Sequence, residues 1–424
     1  MPRNDNCEVS RLRLRDITIR ARVLEAVREA RITDIHTHLF SNNFPQLLLR
    51  GIDDLLTYHY LAAETLRWGV ISPDGFWKRS KREQADLVWK TLFIDHSPVS
   101  EACRGVLTVL DRFGLDTASR DLNSYRKFFD ALSADEHVDR VFELAGVDSV
   151  VMTNDPFDET ERYTWQADPK IDERFKPALR LDSMLYEWES TEDFMREWGY
   201  NVSDYVDIKT CKEVRRFLIN WIDNMNPVYI ASSLPADFAF PDGSARSRLI
   251  SECVLPIAEE RGIPVALMIG VKRQVNSELK SAGDSVGAAS LTSVERLCQL
   301  YPHNKFLITM LSRENQHELC VLARKFANLM IFGCWWFLNT PSLLEETTRM
   351  RLDLLGLSMI PQHSDSRVLD QLIYKWEHSK AVIGDALARQ YENLAATGWN
   401  VTDEEIRRDV ADLFGGNFSS FADR

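Results

Sequence analysis

The 424-residue chain has no run of about 18 apolar residues, so it offers no helix that could span a membrane. Paired cysteines are absent too. The seven thiols, at Cys7, Cys103, Cys211, Cys253, Cys298, Cys320 and Cys334, are dispersed, with no C-x-x-C among them. An odd, scattered set fits reduced thiols and argues against a disulfide framework. The opening stretch MPRNDNCEVS lacks the apolar core of a secretory signal, so the expectation is a cytoplasmic protein. Basic charge is in short supply: 51 Lys and Arg against 64 Asp and Glu give a net −13, with no Lys/Arg block. That disfavours nucleic acid and membrane surfaces as partners, while a few convergent arginines would still suffice for a small anion. No G-x-G-x-x-G turn follows any predicted strand, which counts against a doubly wound dinucleotide-binding sheet. Low-complexity segments, short repeats and Gly/Ser linkers are also missing.

What is present is an alternation of short β-rich runs with amphipathic stretches. Hydrophobic residues make up 45% of the chain, enough for a large core. The predicted strands are Ile32–Leu39, Ser149–Asn154, Lys176–Asp182, Val228–Ser233, Pro264–Val271, Lys305–Leu311, Leu329–Trp336 and Ser358–His363. Most are nearly continuous in Val, Ile, Leu, Met and aromatics, as parallel strands buried on both faces require. Between them, Glu318–Asn328 and Lys212–Met225 carry one apolar face each at helical spacing, the second with Thr210 as its expected N-cap. About eight strand–helix units in succession predict an α/β fold, a (β/α)8 TIM barrel. The predicted organisation is an N-terminal helical segment over residues 1–30 and a barrel over 31–424. A long, mainly helical insertion at 41–146 follows the first strand, on the active-site face. Such barrels often self-associate through their outer helices, so a homo-oligomer is a further expectation.

Chemistry gathers at the strand ends. The first strand closes in Thr33-Asp34-Ile35-His36-Thr37-His38, and alternation along a strand sends His36 and His38 to the same side. Two imidazoles there can share one divalent metal; two satisfied core histidines are the competing reading. The last strand leads into His363-Ser364-Asp365-Ser366-Arg367. In a closed barrel it neighbours the first, so Asp365 completes a two-His, one-carboxylate site with open positions, unless it merely caps the helix expected near Val368. Arg180, Arg313 and Arg367 stand at strand ends as candidates for a substrate anion, Arg180 and Arg367 foremost. The tandem Trp335-Trp336 sits at the end of the seventh strand, where one indole should face the mouth and stack on a sugar ring, or simply pack, and the other should face the helices.

The Asp34-x-His36-x-His38 motif, the Trp335-Trp336-Phe337 cluster and Ser364-Asp365-Ser366-Arg367, in that order, resemble the bacterial uronate (glucuronate) isomerases of the amidohydrolase superfamily. The similarity runs along nearly the whole chain and takes in Leu56-Thr57-Tyr58-His59-Tyr60 and Ser100-Glu101-Ala102-Cys103-Arg104-Gly105 of the insertion. Many members read D-Y-H-C-H-L where this chain has Asp34-Ile35-His36-Thr37-His38-Leu39, which places it on a divergent branch. The resemblance implies an aldose–ketose isomerisation of D-glucuronate to D-fructuronate or of D-galacturonate to D-tagaturonate. It implies one divalent metal, usually zinc, on His36, His38 and Asp365, gripping the carboxylate and a neighbouring hydroxyl of the sugar acid. It also brings His59 and Tyr60 into the site from the insertion and sets Arg180 and Arg367 against the substrate.

Moving a proton from C2 to C1 needs a positioned base and a polarised carbonyl, for which Asp365, His59 and Tyr60 are the candidates. The rival is a mononuclear metal-dependent hydrolase on the same barrel. Bimetallic relatives would show a carboxylated lysine and further histidines on the middle strands, whereas here those strands end in Ser232-Ser233, Ile269-Gly270 and Ser312-Arg313.

Overall fold

The computed structural model describes residues 18–424. Of the expected N-terminal helical segment, residues 18–29 are helical and residues 1–17 lie outside the described part. The strands are β1 (Ile32–Thr37), β2 (Val147–Asn154), β3 (Phe175–Arg180), β4 (Ile230–Pro235), β5 (Val265–Lys272), β6 (Ser285–Val286), β7 (Phe306–Met310) and β8 (Leu329–Ile331). Seven of them pair in parallel in the order β1-β2-β3-β4-β5-β7-β8, a curled sheet with helices in its crossovers, of the TIM-like α/β type. β6 is an antiparallel return against the end of β5 and closes a hairpin. The apolar continuity of the runs has its expected cause: in β5 every residue from Val265 to Val271 is buried.

The last predicted strand is present only as a bridge, Ile360 against Phe332. Its backbone nevertheless joins both sides. Gly333 N–H donates to the Ile360 carbonyl, while Asp365 N–H donates to the His36 carbonyl at 3.1 Å and Ser366 accepts from His38 N–H at 2.8 Å. Segment 359–366 is thereby laced to β1.

Several local expectations change. The helix Ile208–Met225 begins four residues before Lys212 and is capped by Asp207, which accepts from Thr210 N–H at 2.7 Å; Thr210 is inside the helix. The helix expected over Glu318–Asn328 is Gln316–Ala323. Gly333, at φ 64°, explains the short seventh parallel strand: a Cβ there would lie 2.3 Å from the His363 ring, and the backbone turns away. The two tryptophans therefore stand beyond the strand, in a turn where alternation no longer applies.

Between β1 and β2 lie the helices Ile52–Leu56, His59–Arg67, Pro73–Trp77, Lys81–Trp89, Glu101–Arg112, Leu122–Asp130 and Ala134–Ala145. Buried Arg126 ties three of them, reaching Asp53 at 2.8 Å and Asp86 at 2.6 Å. Gly105 lets the Glu101–Arg112 helix close on the long Gln371–Ala396 helix, since a Cβ would meet the Tyr374 ring at 2.6 Å. Buried His137 pairs with buried Asp370, at the start of that long helix, across 2.7 Å.

Candidate active site

His36 and His38 do point the same way: their ring centroids are 5.3 Å apart. Their Nε2 atoms stand 3.8 and 3.3 Å from Asp365 Oδ1, and one ligand atom from each of the three residues falls within 4.8 Å of the others. It is the one such His/Cys/Asp/Glu group among the described residues. Asp365 does not cap a helix; the next one begins at Gln371, after Asp370. Instead Asp365 holds a left-handed backbone, φ 53°, which aspartate tolerates better than most residues.

The hydrogen bonds fix the tautomers. Tyr229 donates its hydroxyl proton to the Ile35 carbonyl at 2.8 Å, so its oxygen accepts from His36 Nδ1–H at 3.1 Å. Thr153 likewise donates to the Thr37 carbonyl at 3.1 Å and accepts from His38 Nδ1–H at 3.1 Å. Both Nε2 lone pairs are left facing the carboxylate, acceptor against acceptor. Burial pushes His36 down to about 3 and His38 well below the ordinary imidazole range, so both are neutral at pH 7. His36 Nε2 has no hydrogen-bond partner. Two neutral imidazoles and a carboxylate converging without a donor between them form the set a divalent cation takes, and the residues fit one.

Asp34 braces this arrangement. Its buried carboxylate accepts from Trp376 Nε1 at 2.8 Å and from Ser364 N–H at 3.1 Å, tying β1 to the turn that carries Asp365. Burial pushes its carboxyl up to about 6.

A narrow cavity opens beside the triad. Its wall brings together His38, His59, Arg180, Trp335, Trp336, Asp365 and Arg367 from the sequence candidates, and adds Tyr58, Ser233 and Arg273. A larger groove, about 980 Å³, runs past Arg28, Ala30, Arg31 and Gly146, before β1 and β2 begin, on the face opposite to the one where such sheets hold their sites.

Arg180 closes β3 and pairs with Asp182 at 2.6 Å, while its buried Nε donates to nothing. Burial alone would raise Asp182, yet the Arg180 charge and hydrogen bonds from Arg180 and Ser233 N–H bring it below the usual carboxylate range. His59 Nε2 and Trp336 Nε1 are likewise buried and unpartnered. Buried polar atoms need partners, and these three converge on one cavity, where a polar ligand could supply them. Burial lowers His59 to about 3, so its ring is neutral at pH 7. Tyr58 is raised above the ordinary phenol range by burial, and Tyr60 by burial and then by Tyr58 and Asp365, so both stay protonated.

Tyr60 is not in the cavity wall; Tyr58 takes that place, and the Tyr60 ring packs on His59 at 4.5 Å. Both tryptophans line the cavity, where only one was expected to face the mouth. Trp336 adopts φ 45° to do so. Arg313 is exposed, bound to Glu346 at 2.8 Å, and has no part in the site. Arg273 escaped the sequence reading although a signal existed, a guanidinium directly after the end of β5.

No protein-family model matches the chain, and no curated protein does. Among solved structures, a uronate isomerase from Bacillus halodurans C-125 is 57% identical over 96% of this chain and 97% of its own, with a TM-score of 0.95. The chain belongs to the uronate isomerase family. It is therefore an isomerase, and the hydrolase alternative gives way. A uronate isomerase from Thermotoga maritima and a glucuronate isomerase from Caulobacter crescentus share the fold at 16% and 15% identity. Their TM-scores are 0.76 and 0.75, the first covering 95% of this chain and 97% of its own, the second 96% and 94%.

Proposed function

We propose that this uronate isomerase family member converts D-glucuronate to D-fructuronate, D-galacturonate to D-tagaturonate, or both, through an enediol. The observation that carries the reading is the small cavity in which His38 and Asp365 of the triad, Arg180, Arg367 and neutral His59 meet, with His36 buried outside its wall. The sheet is read as a closed (β/α)8 barrel over 31–424, with segment 359–366 as its eighth strand. The helices between residues 41 and 146 form a fixed wall over the strand ends, and the helix over residues 18–29 leads into the barrel. Six cysteines among the described residues are buried and unpaired, which supports a reducing, cytoplasmic setting. Association of copies through the outer helices stays part of the proposal.

One divalent ion, zinc in this reading, would be held by His36, His38 and Asp365; when bound it supplies positive charge for the anionic oxygens of a sugar acid. The protein's own groups do the rest. Arg180 and Arg367 orient the carboxylate, since a guanidinium fork matches its two oxygens. The indoles of Trp335 and Trp336 offer faces for the sugar chain. Neutral His59 and the protonated phenol of Tyr58 hydrogen-bond its hydroxyls, with Tyr60 packed behind His59. The Asp365 carboxylate takes the C2 proton, exchanges it in part with solvent, and delivers a proton to C1, while the O2 proton passes to O1. The C1 aldehyde thereby becomes a C2 ketone with every atom accounted for.

Proton NMR of the purified protein with each uronate in heavy water tests the proposal. The expected result is ketose with deuterium at C1 and loss of turnover in Asp365→Asn. Absence of ketose from both sugars, or a C1 free of deuterium at every pH, overturns it.

A further inference from the structure

The arginine that follows β5 remains unused. Arg273 lines the cavity and is less than half exposed. In sheet order β5 is four places from β1, so this guanidinium faces the cavity from across the triad. Its Nη2 stands 3.9 Å from Asp182 Oδ2, the oxygen that Arg180 Nη2 holds at 2.6 Å. Two guanidiniums thus approach one point from two strands, and only one of them is hydrogen-bonded there.

Arg273 is also held in place. Asp284, on the returning arm of the hairpin and with its side chain 7% exposed, accepts from Arg273 Nη1 at 2.7 Å. Its other oxygen accepts from Gln274 N–H at 2.8 Å, with Gln274 in a left-handed backbone, φ 46°. The tip of the same hairpin is moored to the insertion, where Trp77 Nε1 donates to the Glu278 carbonyl at 2.9 Å. An exposed arginine with no task needs neither a buried carboxylate behind it nor a strained neighbour beside it.

We propose that Arg273 is a specificity-determining residue that closes, with Arg180, a two-arginine clamp on the carboxylate of the sugar acid. The proposal rests on the uronate reading above and adds a residue to it. Two forks around one carboxylate select an acid over the corresponding polyol, because a neutral hydroxymethyl group cannot accept the same set of charge-assisted hydrogen bonds.

Calorimetry with two non-reacting probes separates this role from a structural one. D-gluconate and D-glucitol share a six-carbon chain and differ in the carboxylate. Wild-type protein should bind gluconate in preference to glucitol, and Arg273→Ala should cut that preference roughly ten- to hundredfold, with glucitol binding unchanged. Arg273→Lys keeps part of the preference. Asp284→Asn, which leaves the charge but loosens its support, should show a smaller loss of the same kind and serves if the alanine variant does not fold. In turnover, the loss should enter through KM for glucuronate more than through kcat. An unchanged gluconate-to-glucitol ratio in all three variants, or no preference in the wild type, overturns the clamp. Failure of the isomerase reading would show separately, as absence of ketose from the wild type.

Discussion

Tyr229 accepts a hydrogen bond from His36 Nδ1 across 3.1 Å because its own proton is already given to the Ile35 carbonyl. Nothing else in the site fixes which nitrogen of His36 faces Asp365. Thr153 does the same for His38 from β2.

Metal content should therefore depend on residues that touch no metal. Tyr229→Phe and Thr153→Val should each weaken affinity for zinc about 10–100-fold, measured by competition with a chromophoric chelator. His36→Ala combined with His38→Ala should abolish the expected stoichiometry of about one ion per chain while the thermal transition persists. Full metal retention in that double variant would remove the triad as a binding site.

The arginines offer a graded comparison. Arg180→Lys or Arg367→Lys should already impair turnover of the preferred uronate, by about 1.5–3 kcal/mol for each charge-assisted hydrogen bond lost. Arg313→Ala, a strand-end arginine that the fold commits to Glu346, should leave kinetics unchanged. Equal behaviour of all three would reduce Arg180 and Arg367 to ion-pair partners.

Glu161 gives a pH test away from the triad. Burial pushes its carboxyl up to about 8, although Asn154 Nδ2 and Asp155 N–H donate to it. Between its ordinary value of 4.5 and about 8 the folded chain binds the proton that the unfolded chain releases. The contribution of this group is thus fully present below 4.5 and is lost as pH rises through 8. Glu161→Gln keeps an oxygen for both donors and cannot ionise. Thermal melts at pH 5 and 8.5 should show the variant losing less stability than the wild type on going to the higher pH; parallel losses would mean Glu161 is ionised in the fold without penalty.

The strands were legible because burial on both faces leaves little room for polar residues, and all eight predicted runs coincide with strands or with the bridge at Ile360. Their ends were less so. A strand stops where a particular contact stops it, and the contact that stops β8, between Gly333 and the His363 ring, joins residues thirty positions apart. The His36–His38–Asp365 cluster could be read because His36 and His38 obey strand alternation and Asp365 lies on the neighbouring segment. Tyr58, in place of Tyr60, could not be chosen that way: the pair sits at the entry of a helix, where no two-residue period sorts inward from outward. Arg273 was overlooked for a related reason, since its value comes from Asp182 and Asp284, one of them ninety-one positions upstream.

The His137–Asp370 pair bears on how this protein can be cut down. Asp370 Oδ1 accepts from His137 Nε2–H, Oδ2 accepts from Gly51 N–H at 2.7 Å, and the Arg50 guanidinium donates to His137 Nδ1 at 3.3 Å. Every one of those donors belongs to the stretch between β1 and β2. A chain shortened by deleting residues 41–146 would not yield a minimal enzyme with an open mouth. It would strip the Asp370 carboxylate of all its donors and of the residues that cover it, five positions from Asp365. The excursion and the sheet answer to the same carboxylate, and neither can be engineered as a module.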